Sequence, residues 1–259
     1  MERLIIWSSC GETGRGEAAI GILPNTTDMS AAVADELYDL ANRRYSHFVD
    51  LLYDVDQRTS VNSRQLEILV RLDFFSDFGN QRELLRIIDF FNMFKRGQAK
   101  QVKKTEIDGS PLEPIVQKYA VGVTKAGGVA KSYTLLDVMA ILREIEELVK
   151  ASGLEDLSDI IKVRSFYDVM GYVGYTSGKE EDRRKLYVTS IRPVSRKSDG
   201  RRFGYGIITK SIGSGKESRF TVFNRVFDKD PIKEGDIIYC RDYSRDGQYY
   251  QLESYSKVQ

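Results

Sequence analysis

The chain has 259 residues, 41% of them hydrophobic, and carries 39 Lys and Arg against 38 Asp and Glu. That is enough apolar material for a buried core and excludes a disordered chain. No apolar run approaches the ~18–20 residues of a membrane span, and residues 1–7 are too short for a secretory leader. Two distant cysteines, Cys10 and Cys240, and one histidine, His47, offer neither a disulfide framework nor a metal-ligand set. A cytoplasmic location is expected, with no membrane partner, no metal and no cofactor.

Near the start, Gly11, Gly14 and Gly16 fall in the wrong order for a dinucleotide-binding loop. From Ser30 to about Ala151 the apolar spacing is helical. His47 reads as a helix-flanking residue, and Asp54 and Asp56 fall in a stretch that reads as loop. Asn62 with Gln65, and Asn80 with Glu83, have the spacing of a capping box, in which two orphan backbone donors are satisfied reciprocally. The first box predicts a helix with Leu66, Leu69 and Val70 inward; the second, one with Leu84, Leu85, Ile88 and Phe91 inward. Residues 72–79 form a tight connection between them. Residues 95–132 contain Gly97, Gly109, Pro111, Pro114, Gly122, Gly127 and Gly128, which predicts mostly loop with a brief helix after Ser110 and Pro111. Thr134, with Asp137 at the fourth place, predicts the cap of a helix burying Val138, Ile141, Leu142, Ile145, Leu148 and Val149. Glu144, Glu146 and Glu147 then fall on its solvated face.

From about Val169 the pattern changes to short β-branched and aromatic runs at 186–191, 203–209, 219–224, 236–241 and 249–255. Turn chemistry separates them at 198–200, 213–215, 233–235 and 245–247. Five such strands fit a small barrel, and the OB-fold is the five-stranded barrel associated with oligonucleotides. The fold class expected is therefore α+β, helical first and barrel second. Alternation puts Phe203, Tyr205 and Ile207 on one face of their strand, and sets Phe220 and Val222 opposite Arg219, Thr221 and Phe223. The run Gly213-Ser214-Gly215-Lys216 fails as a phosphate loop, because Lys210 and Glu217 stand where glycine and a magnesium-binding hydroxyl are needed. It reads as a flexible hairpin tip. No catalytic constellation emerges from the sequence.

The near-neutral total conceals segregated charge. Residues 1–94 hold 9 basic and 15 acidic side chains, residues 95–104 hold 5 and 0, and residues 105–182 hold 8 and 14. Residues 183–225 hold 12 and 2, and residues 226–259 hold 5 and 7. A basic block interleaved with strand aromatics suits a polyanion-binding surface. The candidate phosphate partners are Arg192, Arg196, Lys197, Arg201, Arg202, Lys210, Lys216 and Arg219. The candidate stacking rings are Phe203, Tyr205 and Phe223.

The run Leu66-Glu67-Ile68-Leu69-Val70-Arg71-Leu72-Asp73-Phe74-Phe75-Ser76-Asp77-Phe78-Gly79-Asn80-Gln81-Arg82-Glu83-Leu84-Leu85 resembles the helix-hairpin-helix region of the bacterial DNA polymerase III alpha subunit, a C-family replicative polymerase. Ala19-Ile20-Gly21-Ile22, Val33 to Leu37 and Phe48-Val49-Asp50-Leu51-Leu52 resemble the stretch before it. Tyr167-Asp168-Val169-Met170-Gly171-Tyr172 resembles the family's leader into its OB domain. Phe203-Gly204-Tyr205, Phe220-Thr221-Val222-Phe223 and Lys233-Glu234-Gly235-Asp236-Ile237-Ile238 follow in the family's order. The chain departs from the family where Leu23-Pro24-Asn25-Thr26-Thr27-Asp28 lacks the first hairpin's glycine and where Asp73-Phe74 replaces Gly-Ala.

This resemblance spans about residues 17–259. It implies a helical, helix-hairpin-helix-like DNA-binding region at 1–100, a connector with one long amphipathic helix at 101–165, and an OB domain at 166–259. The implied function is the non-catalytic DNA-binding part of a DNA-directed DNA polymerase, handling template single strand and duplex, with the nucleotidyltransferase carboxylates on polypeptide outside these 259 residues. Arg64, Arg71 and Arg82 would contact duplex phosphates. Phe90, Met93 and Phe94 would form a peptide for the sliding clamp, alongside other replisome partners. The alternative is a free-standing OB adaptor that binds a protein partner or RNA.

Overall fold

A computed structural model describes residues 5–6, 19–20, 31–41, 43–95, 101–123, 129–246 and 249–258. The chain divides into two units, Met1–Leu157 and Ser158–Gln259. Cys10, the glycines at 11, 14 and 16, and the hairpin at 23–28 lie outside the described residues.

In the first unit, β1 (Ile5–Ile6) pairs antiparallel with β2 (Ala19–Ile20). Four helices follow: α1 (Ala31–Ala41), α2 (Phe48–Arg58), α3 (Ser63–Arg71) and α4 (Gln81–Lys95). Both expected capping boxes form. Asn62 accepts from the Gln65 N–H at 2.9 Å while Gln65 accepts from the Asn62 N–H at 2.9 Å, and Asn80 and Glu83 repeat the exchange at 2.9 and 3.0 Å. The α3–α4 connection turns at Asp73, which has φ 67°. Its N–H donates to the Val70 carbonyl and that of Phe74 to the Leu69 carbonyl, the pattern by which a left-handed residue closes a helix end. The Phe75 and Phe78 rings lie 5.4 and 5.6 Å from that of Phe48, so the aromatic run of this connection serves the core. Asp54 and Asp56 sit on α2 and not in a loop. There Asp54 accepts from Arg43 at 2.9 Å, Tyr45 at 2.8 Å and Arg58 at 3.1 Å.

The expected loop at 95–132 is largely structured. It contains β3 (Gln101–Lys103), α5 (Lys104–Ile107), α6 (Glu113–Lys118) and β4 (Ala120–Val123), and it runs into β5 (Val129–Leu135). The strands form a sheet ordered β3-β5-β4; α6 is the brief helix expected after Pro111. Thr134 is a strand residue paired with Gln101 and Val121. The cap of α7 (Val138–Ala151) is instead Asp137, which accepts from the Ala140 N–H at 2.9 Å. On α7, Ile141, Leu142, Ile145 and Val149 are buried, Leu148 is 36% exposed and Glu146 is 0% exposed. Thus Leu148 and Glu146 exchange their expected places. Val102, Ile107, Val116, Tyr133 and Leu135 join the same core as the helices, so residues 101–157 belong to the first unit and do not form a separate connector.

The second unit opens with α8 (Asp159–Met170), closed by Gly171 at φ 71°. It continues through β6 (Lys185–Ser195), β7 (Arg202–Ser211), β8 (Glu217–Phe223), the one-turn α9 (Asn224–Phe227), β9 (Ile237–Asp246) and β10 (Tyr249–Lys257). The five strands close into a barrel in the order β10-β8-β7-β6-β9. All pairings are antiparallel except β8–β10. Counted from β6, the order around the barrel is first, second, third, fifth, fourth, with a helix between the third and fourth strands: an OB-like barrel. Leu186, Val188, Ile207, Phe220, Val222, Ile238 and Leu252 fill its interior. Val163 of α8 packs with Val173, Tyr187, Ile212 and Ile237 as a second cluster, where burial pushes the Tyr187 phenol up to about 12. Register shifts single out Thr189, Phe203, Arg241 and Glu253 as extra residues, and bulges of this kind bend strands enough to close a small barrel. Among the described residues no helix is long and apolar enough to cross a membrane.

Candidate nucleic-acid interface

The pairing of β7 with β8 sorts their side chains. Ile207 faces Phe220 and Tyr205 faces Val222, and all four belong to the barrel interior. Side chains alternate across a strand, so the intervening pairs Ile208–Arg219, Gly206–Thr221 and Gly204–Phe223 point outward. On β6, Arg192 stands opposite Gly206. On β10, Gln251 stands beside Thr221. Arg192, Gly206, Thr221 and Gln251 thus form one transverse row, in which Gly206 leaves backbone uncovered beside Arg192. Gly204 has little choice: a Cβ there would lie 2.4 Å from the Val222 carbonyl oxygen. A glycine inside a strand is the sequence signal for such a close approach.

Phe203 is a bulge residue, without a partner on β6, between the Val194–Gly204 and Ser195–Arg202 pairs. Its ring lies 5.8 Å from that of Phe223, although strand alternation alone sets the two on opposite faces. With Arg196, Asn224 and Arg225 these rings line an open cleft of about 400 Å³. The Asn224 amide donates to the Arg202 carbonyl at 3.0 Å, while its Oδ1 is buried without a partner. Tyr205 does not join this cleft. It stacks on Phe227 of α9 at 3.8 Å with a 22° interplanar angle, and Arg202 lies over its ring at 4.8 Å.

Apart from Arg202, which lies over Tyr205, the candidate cations separate into three groups. Arg192, Arg196, Lys197, Arg201 and Arg219 are exposed, on the outward face or in the β6–β7 loop. Among the described residues the first four have no carboxylate within ion-pair distance. Arg219 reaches Glu217 at 3.5 Å with 78% of its side chain exposed, a pair that contributes about 1 kcal/mol or less and yields readily to phosphate. Lys210 is tethered instead: its Nζ donates to the Val173 carbonyl. Lys216 lies at the other end of β8, on a turn that is packed and not a free tip. There Ile212 is fully buried, the Gly213 N–H donates to the Asp182 carbonyl at 3.1 Å, and a Cβ on Gly213 would meet the Lys179 oxygen at 2.5 Å.

The first unit offers less to a phosphate. Arg64 and Arg71 occupy the first and last turns of α3, and Arg82 the first turn of α4. At the start of α4, however, the Asn80 and Gln81 N–H groups already donate to Glu83 at 3.0 Å and Asp156 at 3.0 Å. Two carboxylates therefore occupy the donors through which a helix N-terminus would hold an anion. The clamp-peptide expectation also meets a packed segment. Phe94 is buried, and Phe90 and Met93 pack against the same core from within α4, with Arg86 over the Phe90 ring at 4.5 Å. Residues in a helix and committed to a core cannot also be presented as an extended ligand.

Asn224, Arg225 and Gln251 are additions that strand alternation alone did not select, and Thr221 stands on the face that alternation gave it with Arg219 and Phe223. No known protein family, curated protein or solved structure matches the chain.

Proposed function

We propose that the barrel is an OB-fold nucleic-acid-binding domain that holds a single strand across the outward face of β6, β7 and β8, within the non-catalytic DNA-binding part of a bacterial DNA polymerase III alpha-like protein. The observation that carries the binding reading is the open cleft lined by Phe203, Phe223 and Arg196, with Gly206 leaving backbone uncovered beside Arg192 on the same outward face. Backbone without side chains lets a strand approach closely. Arg192, Arg219 and the loop residues Arg196, Lys197 and Arg201 pair with its phosphates, and the two phenylalanines stack its bases, each at about 1–3 kcal/mol with little sequence preference. The order in which the chain's segments resemble those of the polymerase supports the assignment to replication. Clamp binding through Phe90, Met93 and Phe94 is not proposed, because these side chains are packed against the core, and a duplex phosphate beside Arg82 would meet helix donors already taken by Glu83 and Asp156.

Fluorescence anisotropy with labelled single strands tests this reading. Binding at low salt is expected, and Arg219→Glu should weaken homopolymeric and mixed sequences alike by about tenfold, the size of one charge-assisted contact. A matched RNA strand separates DNA from RNA preference. Absence of binding at low salt, or a loss confined to one sequence, would contradict the proposal.

A further inference from the structure

The end of the barrel away from the β6–β7 loop is chemically different. There the start of β6, the β7–β8 turn, the middle of β9 and the start of β10 surround an opening of about 270 Å³. Its floor is the apolar interior, formed by Leu186, Phe220 and Cys240, all buried. Burial raises the Cys240 thiol above its ordinary pKa, so this sulfur remains neutral and contributes apolar surface. Tyr243 and Tyr250 line the same opening. Their rings and that of Phe220 contact one another at 5.8–6.1 Å. Tyr243 is 50% exposed, so its ring is open to a ligand at this mouth.

Three cations also line the opening: Arg183, Arg184 and Lys216. Arg183 pairs with Glu180 at 2.8 Å, in an ion pair whose partners are 60% and 78% exposed, and Arg184 donates to the Arg241 carbonyl at 3.3 Å. Lys216 has no carboxylate partner among the described residues. A bare phosphate would leave the rings and apolar floor unused, and a nucleoside would leave the cations unused. At the small end of ligand-pocket sizes, the opening suits one compact ligand and not a polymer.

We propose that this mouth binds a single nucleotide, its base against Tyr243 and Tyr250 and its phosphate among Arg183, Arg184 and Lys216. The site lies at the opposite end of the barrel from the Phe203–Phe223 cleft and does not depend on the reading given to the outward face. The nucleotide can come free from solution or from the phosphorylated end of a strand.

Calorimetric titration of the full chain with AMP, adenosine, inorganic phosphate and a 5′-phosphorylated dinucleotide tests the site. AMP should bind about tenfold or more tightly than adenosine or phosphate, because neither fragment engages both halves. Tyr243→Ser and Lys216→Glu should each weaken AMP binding by about fivefold or more. Tyr243→Ser should leave the affinity for a long single strand unchanged, which separates this site from the outward face. Tighter binding of the dinucleotide assigns the mouth to strand ends, and equal or tighter binding of AMP assigns it to free nucleotide. If neither binds at about 1 mM, or if AMP binding survives both substitutions, the proposal is wrong.

Discussion

Glu146 shows how one side chain can decide local stability. Its two carboxylate oxygens each accept one N–H at 2.9 Å, from Phe48 and Val49 at the start of α2, and Lys150 reaches it at 2.7 Å. The first N–H groups of a helix have no partner within the helix, and here a fully buried acid from α7 supplies one and complements the helix dipole. Glu146→Ala leaves two buried donors and a partly buried ammonium uncompensated, and should cost about 3–5 kcal/mol. Glu146→Gln, which keeps one acceptor, should cost less. Its neighbour Glu147 is 63% exposed and 3.6 Å from His47, so Glu147→Ala should fall within about 0.5 kcal/mol of wild type. Urea denaturation measures all three, and equal costs at 146 and 147 would refute the capping role. The sequence could not separate these glutamates. Helical periodicity puts Glu146 at the edge of the apolar stripe, and the donors it serves come from residues 97 and 98 positions away.

At the scale of elements, the two glycines of β7 permit a test in which binding and folding are read apart. A Cβ at Gly206 would meet Val194 Cγ2 at 3.4 Å, an ordinary contact, whereas at Gly204 it would strike backbone. Gly206→Val should therefore fold with a Tm near or above that of wild type, since it removes unfolded-chain freedom and suits a strand. It should also weaken single-strand binding by about tenfold by covering that backbone. Retained affinity would show that no strand approaches this row. The barrel itself was largely legible: each strand carries its own period-2 pattern and turn residues, and the observed strands overlap all five expected ones. The β3-β5-β4 sheet was not legible: β3 and β4 are 3 and 4 residues long, too short for alternation to register, and the 7 residues of β5 follow a glycine run read as loop and include Thr134, read as a helix cap. The pairing that creates it is non-local. Phe203 was named as a stacking candidate, but its turn toward Phe223 depends on a bulge, which follows from barrel closure and not from local composition.

For the molecule as a whole, the question is which charges a polyanion senses. The net charge is +1, so the global field offers a polyanion little attraction, and at physiological salt it is screened beyond about 8 Å. Affinity should then depend on contacts made at the barrel, because each phosphate engaged releases condensed counterions and adds about 0.7 to the slope of log affinity against log salt for a single strand. Replacing Arg196, Lys197 and Arg201 together with Gln should lower that slope by about 2 if each engages a phosphate. Replacing the exposed Asp35, Asp39 and Asp89 of the first unit with Asn moves the net charge by the same amount in the opposite direction, and should leave the slope unchanged. Anisotropy titrations across a salt series provide both numbers. A slope that follows net charge through both triple variants would mean diffuse attraction in place of a located interface, whereas one that responds only to the loop variant places the strand against β6 and β7.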